Sequence, residues 1–252
     1  ESITIHDTSL ELGGDSSISI QGVSRANIYG YQILPQDLFS NQTINTLSKI
    51  IDLRGTDQLE SEKEQLMGEC PLGAIQRWFF EDLGNVEEPF NQSVILSIDK
   101  SVTVDIMHEA IETIVAHHDG VRFKFSNESG EWKQEYLSAA SCFESIILSD
   151  DECISGQISE LATLYQQKTD PIEGIVFKSL LIQLPASEQF NRILFVAHHL
   201  CIDTVSWRIL LDDLETLIEQ CMQGEKMSLG GKSKSYRNWV TALEALACTD
   251  AI

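Results

Sequence analysis

The sequence is short of basic charge and of proline, and it has no long apolar run. Lysine and arginine together number 17 against 39 aspartates and glutamates, a formal charge of −22. So acidic a surface repels nucleic acid and anionic lipid and favours solubility. No apolar stretch reaches the length that spans a bilayer, and no basic-then-apolar leader opens the chain. The six cysteines (Cys70, Cys142, Cys153, Cys201, Cys221 and Cys248) lie without CxxC spacing. That scatter predicts buried thiols in a reducing, cytoplasmic setting rather than a disulfide framework. Hydrophobic residues make up 42% of the chain, enough for packed cores and too many for general disorder.

What is present centres on His198-His199-Leu200-Cys201-Ile202-Asp203. An apolar run, Ile193 to Ala197, precedes it with the length and residue types of a buried strand. After Asp203 the period changes. Val205, Ile209, Leu210, Leu214, Leu217, Ile218 and Cys221 recur at three- and four-residue steps, so a helix follows, with Asp203 at its N-cap. Two imidazoles thus sit in a strand-to-helix connection whose ends are fixed. An imidazole takes and returns a proton near neutrality, and a carboxylate four residues on can orient it, neutralise an arginine or cap the helix. A histidine pair closing a strand can equally be structural, and spacing alone does not separate the two. No cysteine or acidic cluster completes a zinc set at a usual spacing, so no metal is expected.

The longer string, HHLCIDTVSWRILLDDLE from His198 to Glu215, resembles the HHxxxD signature of the condensation superfamily of nonribosomal peptide synthetases. Its SW-R-IL-L-DL continuation is similar to the epimerization branch. Condensation domains more often carry Gly after the Asp and lack this Trp; here Thr204 replaces the usual small residue. Pro71 to Glu81, PLGAIQRWFFE, resembles the opening motif of epimerization domains, with Gln76-Arg77-Trp78-Phe79 favouring that branch. His117-His118-Asp119-Gly120-Val121-Arg122 resembles the family's HHDxLR segment. By its position the histidine pair reads as cations at a helix C-terminus, and by resemblance Arg122 would pair with Asp203 and orient the loop presenting His199.

Nearer the start, LGGDSS from Leu12 to Ser17, with Ile18-Ser19-Ile20-Gln21 after it, resembles the peptidyl carrier (thiolation) domain. By residue type alone it is a glycine turn before a capped helix. The resemblance covers residues 1 to about 53 and implies 4′-phosphopantetheine on Ser16, with most of the carrier's first helix missing or lying outside the chain. Residues 54–69 are charge-rich without an apolar period and read as a linker.

The resemblance, together with the alternation of elements, implies that residues 70–252 fold as an α/β sandwich lobe like that of chloramphenicol acetyltransferase. The elements read from the pattern are a helix from Pro71, a strand from Phe90 to Ile98 and a helix from Val104 to His117. A strand pair follows over Val121–Phe125 and Lys133–Leu137, then an acidic helix over 150–168. Strands over Val176–Leu184 and Arg192–Ala197 and a final helix from Tyr236 to Leu246 complete the list. The resemblance implies an epimerase that removes the α-proton of an aminoacyl or peptidyl thioester and returns it on the other face. His199 would be one acid/base, with His198 and Asp203 supporting it and Ser206 or Trp207 shaping the pocket. A glutamate from a second, C-terminal lobe would be the other group. Implied partners are a phosphopantetheinyl transferase and the adenylation and condensation domains of the same synthetase, with no nucleic acid or membrane. Two alternatives stand beside it: an amide-forming condensation domain, and a non-catalytic carrier fragment.

Overall fold

The computed structural model describes residues 65–82, 90–149, 153–232 and 234–248, together with 3–8, 11–13, 18–19, 22–23, 26, 31 and 33–54. Contacts divide the chain into two units, Glu1–Glu62 and Lys63–Ile252. In the first, helix α1 (Pro35–Ser40) begins with proline at its first position, where a missing N–H costs nothing. Its Asp37 carboxylate accepts from the Leu34 N–H at 2.7 Å. Helix α2 (Ile44–Arg54) follows, and Val23 and Ile33 are buried. Ser16, and most of the helix expected after Gly13-Gly14, lie outside the described residues.

The second unit holds two sheets. Strands β1 (Gly68–Cys70), β3 (Phe123–Glu128) and β4 (Glu131–Tyr136) form an antiparallel sheet in the order β1-β4-β3. Strands β2 (Asn91–Ile98), β7 (Asn191–His198), β6 (Phe177–Gln183) and β5 (Phe143–Ile147) form the second, in that order, with only β5 and β6 parallel. Among the described residues five α-helices accompany them: α3 (Ala74–Asp82), α4 (Val104–His117), α5 (Ile154–Gln166), α6 (Thr204–Met222) and α7 (Tyr236–Ala247).

The apolar period of each element explains where it packs. On β7, Ile193, Phe195 and Ala197 face one way and join a core with Met107, Ile111 and Ile114 of α4 and Trp207, Leu210 and Leu217 of α6. Leu194 and Val196 face the other way and pack with Tyr165 of α5. Burial on both faces turns β7 into the near-continuous apolar run seen in the sequence. The four-stranded sheet therefore lies between α5 and the α4–α6 pair, an α/β sandwich. A third core, with Phe79, Phe80, Phe123, Phe125 and Tyr136, joins α3 to the smaller sheet. Phe80 stacks on Trp132 at 3.9 Å.

Two features differ from expectation. Residues 65–69, assigned to the linker, belong to the second unit. There β1 pairs with β4, and the Leu66 carbonyl accepts from Arg122. Strand β5 is an addition to the expected elements, because four of its five residues are exposed and no alternation marks it. Among the described residues no helix is long and apolar enough to cross a membrane.

Leu217 is fully buried where α6 meets the sheet. Leu217→Ala is expected to lower unfolding free energy by about 2–5 kcal/mol, the usual range for a buried cavity, measured by urea denaturation.

Candidate active site

Strand β7 ends at His198, and a short turn leads to Asp203 at the start of α6. The backbone of this turn is fixed by its neighbours. The His198 N–H donates to the Val176 carbonyl and the His199 N–H to the Phe90 carbonyl, each at 2.8 Å. From below, the buried Gln76 amide donates to the Leu200 carbonyl at 3.1 Å, while its oxygen accepts from the Gly73 N–H and the Tyr236 hydroxyl. So Gln76 ties α3 and α7 to the histidine turn.

The two imidazoles occupy different environments. His198 is buried, edge-on to Phe79 and Phe90 with centroids 5.9 and 6.1 Å away. Its Nδ1 accepts from the Leu200 N–H at 3.3 Å. Burial, reinforced by the neighbouring His199, lowers its pKa from the usual 6.5 to about 4, so His198 is neutral at physiological pH. His199 is half-buried and stacks on Phe90 at 5.1 Å. Its Nδ1 lies 2.8 Å from the Ile202 carbonyl. A carbonyl only accepts, so Nδ1 carries the proton and neutral His199 holds its lone pair on Nε2. That nitrogen is 3.1 Å from the Gln92 amide nitrogen, and the Gln92 oxygen accepts from the Trp207 indole N–H at 2.9 Å.

Asp203 is exposed and serves as the helix N-cap. Its Oδ1 accepts from the Ser206 N–H at 2.7 Å and from the Ser206 hydroxyl at 2.6 Å. Ser206 therefore completes the cap. Trp207 is buried in the core and meets the site through its indole nitrogen, which donates to Gln92.

The expected Arg122–Asp203 pair does not form. Arg122 is buried, donating to the carbonyls of Val115, Leu137 and Leu66 and to Asp119 Oδ1 at 2.5 Å. Asp119 also meets Lys232 at 3.0 Å. The competing partner is three residues away on the same 3-10 turn (Asp119–Arg122), and with the carbonyls it leaves the guanidinium no donor for the distant cap.

His117 and His118 lie at the end of α4, as expected. His118 Nε2 is 2.7 Å from Asp213 Oδ2, a link from α4 to α6. His117, His118 and Asp213 bring three possible ligand atoms within 4.8 Å of one another, among them this hydrogen-bonded pair.

Gln92 is the member of the site that the motifs did not mark. Its signal lies in register. Gln92 pairs with Ala197 across β2 and β7, and residues two apart share a face, so it stands beside His199.

The chain is similar to several known proteins. Residues 67–251 match the family model described as Condensation domain. The chain is 39% identical to a linear gramicidin synthase protein of Brevibacillus parabrevis over 99% of its own length and 3% of that protein's. It is 31% identical to surfactin synthase subunit 2 of Bacillus subtilis (strain 168), over 97% of this chain and 7% of the other. The chain thus spans a small part of these curated relatives. Among solved structures, the epimerization domain from the third module of tyrocidine synthetase B superposes with TM-score 0.69 at 29% identity, covering 75% of this chain and 43% of that one. The starter condensation domain of rhizomide synthetase shares the fold with TM-score 0.63 at 12% identity, over 72% of this chain and 44% of that one.

Two predictions concern the site's supports. In a double-mutant cycle, Arg122→Ala is expected to cost about 3–5 kcal/mol, as for a broken buried ion pair, and Asp203→Ala about 1 kcal/mol, as for a lost cap. The two losses should add, whereas Arg122 and Asp119 should couple. For His198, an unfolded chain takes up a proton below pH 6.5 that the folded site refuses until about 4. Its contribution is intact above 6.5 and falls away towards 4, by on the order of 3 kcal/mol. Denaturation curves over that range should show a shallower acid loss in His198→Gln than in the wild type.

Proposed function

The chain belongs to the condensation-domain family, and we propose that it is a segment of a nonribosomal peptide synthetase whose second unit contributes to epimerizing a carrier-bound aminoacyl or peptidyl thioester. The observation that carries this reading is the geometry of His199. Its Nδ1 proton is committed to the Ile202 carbonyl, which leaves Nε2 as the basic nitrogen.

The chemistry asks little of each group. A thioester α-proton is more acidic than that of an amide, because sulfur donates poorly into the carbonyl. His199 Nε2 takes that proton as the C–H electron pair moves into the thioester. A second group, expected from the domain's other lobe, delivers a proton to the opposite face; His199 then gives up its proton to solvent and the second group regains one, which resets both for the next cycle. His198, neutral at the working pH, adds no positive charge beside the base. Asp203 and Ser206 hold the start of α6, and Arg122 with Asp119 holds the end of α4.

Epimerization is favoured over condensation by two kinds of support. The 29% identity to an epimerization domain contrasts with 12% for a condensation domain of the same fold. The residues Gln76 and Trp207, which set the branch resemblance, both make contacts around the histidine turn. Amide formation remains the second reading, since the same base could serve an incoming amine.

The first unit is read as the carrier. The likeness to the linear gramicidin synthase protein runs over 99% of the chain, so it includes the stretch before residue 67. Gly13, at φ +84°, makes a left-handed turn, as the glycine turn in the carrier motif would. On this reading Ser16 receives 4′-phosphopantetheine from a phosphopantetheinyl transferase, and adenylation and condensation domains are its partners. When attached, the arm supplies the thioester.

The test uses the complete synthetase module with its carrier loaded, in deuterated water. His199→Ala is expected to slow α-proton exchange by about 10²–10⁴-fold, the usual contribution of a positioned acid/base. Unchanged exchange sinks the role of His199, and amide product from two loaded carriers without exchange identifies a condensation domain.

A further inference from the structure

From the Trp207–Gln92–His199 chain of contacts we infer that Gln92 is a positioning residue that keeps His199 a neutral base. It does so by presenting an amide donor to the nitrogen that must stay unprotonated. The argument starts at the tryptophan, whose indole nitrogen can only donate. It sits 2.9 Å from one end of the Gln92 amide, so that end is the oxygen. The other end, the NH2, then faces His199 Nε2 at 3.1 Å. An NH2 group can only donate, so the lone pair must be on Nε2.

His199 is thereby constrained from both sides. The Ile202 carbonyl requires a proton on Nδ1, and Gln92 requires none on Nε2. A proton on Nε2 would put two donors face to face in a half-buried site. Turning the amide over would relieve that clash only by pointing NH2 at the Trp207 N–H. Trp207 is buried in the core and its ring cannot swing away without opening a cavity. The lock is therefore anchored in the packing between α6 and the sheet, and it lies across two elements whose register is fixed by Gln92 opposite Ala197.

A space-filling role and a proton-directing role make opposite forecasts for two variants. In Gln92→Glu the carboxylate still accepts from Trp207, but it now accepts from His199 as well and draws a proton onto Nε2. In Gln92→Leu both hydrogen bonds are lost, yet nothing favours the charged ring. If Gln92 merely filled space, the near-isosteric Glu would be the milder change. If it directs the proton, Glu is the more damaging.

The test is nitrogen NMR of the 252-residue chain at neutral pH, reading the ring nitrogens of His199. The wild type is expected to show Nδ1 protonated and Nε2 bare, and Gln92→Glu to lose the bare-nitrogen signal. In Gln92→Leu, Nδ1 stays protonated and the Trp207 indole signal shifts. A proton on Nε2 in the wild type, or a bare Nε2 in Gln92→Glu, overturns the inference; the wild-type measurement decides even if a variant fails to fold. The catalytic consequence rests on the reading of His199 as base. In the complete module, Gln92→Glu should slow α-proton exchange by about 10²-fold or more, and further than Gln92→Leu does. Equal or reversed losses would assign Gln92 a packing role. A bare Nε2 in a module that performs no exchange would defeat the epimerase reading while leaving the lock intact.

Discussion

The hydrogen bond from His199 to the Ile202 carbonyl is short in sequence, three residues, and the rest of the site depends on it. It forms only if the chain turns sharply between β7 and α6. That turn is held from three directions: by Val176 and Phe90 through their carbonyls, by Gln76 from α3, and by the Asp203 cap at the start of α6. Removing a strand end, a helix start or a buried amide would each loosen the same imidazole. The scaffold is rigid because β7 is buried on both faces, so its end cannot drift without disturbing two cores.

Charge is distributed with the same economy. The chain carries many more acids than bases, yet its buried cation, Arg122, sits away from the histidine turn, satisfied by Asp119 and backbone carbonyls. Asp203 in turn is satisfied by Ser206 and the helix start. Two locally closed groups replace one long-range ion pair. A pair formed across the molecule would have coupled the end of α4 to the start of α6. Here that coupling falls to His118 and Asp213 instead.

The sequence made legible what depends on neighbours along the chain. The apolar run of β7, the Asp203 cap and the face of α4 each follow from residues a few positions apart. So does the location of His198 and His199 in a strand-to-helix turn, while the fold was legible through the family resemblance that their motif carries. Features set by distant partners were not legible. Strand β1 exists because β4 offers an edge to Gly-Glu-Cys, which carries no pattern of its own. Gln92 stands 107 residues from His199, and nothing in a single alternating strand says which polar residue will face an imidazole. The Arg122–Asp203 expectation erred in the other direction. It assigned a distant partner to an arginine whose own turn already supplied a carboxylate.

Strand alternation explains why two adjacent histidines do not duplicate each other. Along β7, Ile193, Phe195 and Ala197 share the face that meets α6, and His199 continues that parity to stand by Gln92 and Trp207. His198 has the opposite parity and enters the apolar contact with Phe79 and Phe90, where burial keeps it neutral. One imidazole is thus committed to apolar packing and the other to the polar contacts with Gln92 and Ile202 by a period of two. A slip of one residue in the pairing of β2 with β7 would move Gln92 to the opposite face of the sheet from His199. The Gln92–Ala197 register resists that slip, because the slipped strand would carry the Gln92 amide away from the Trp207 indole. The tautomer of a single histidine is in this way tied to the alignment of an entire sheet.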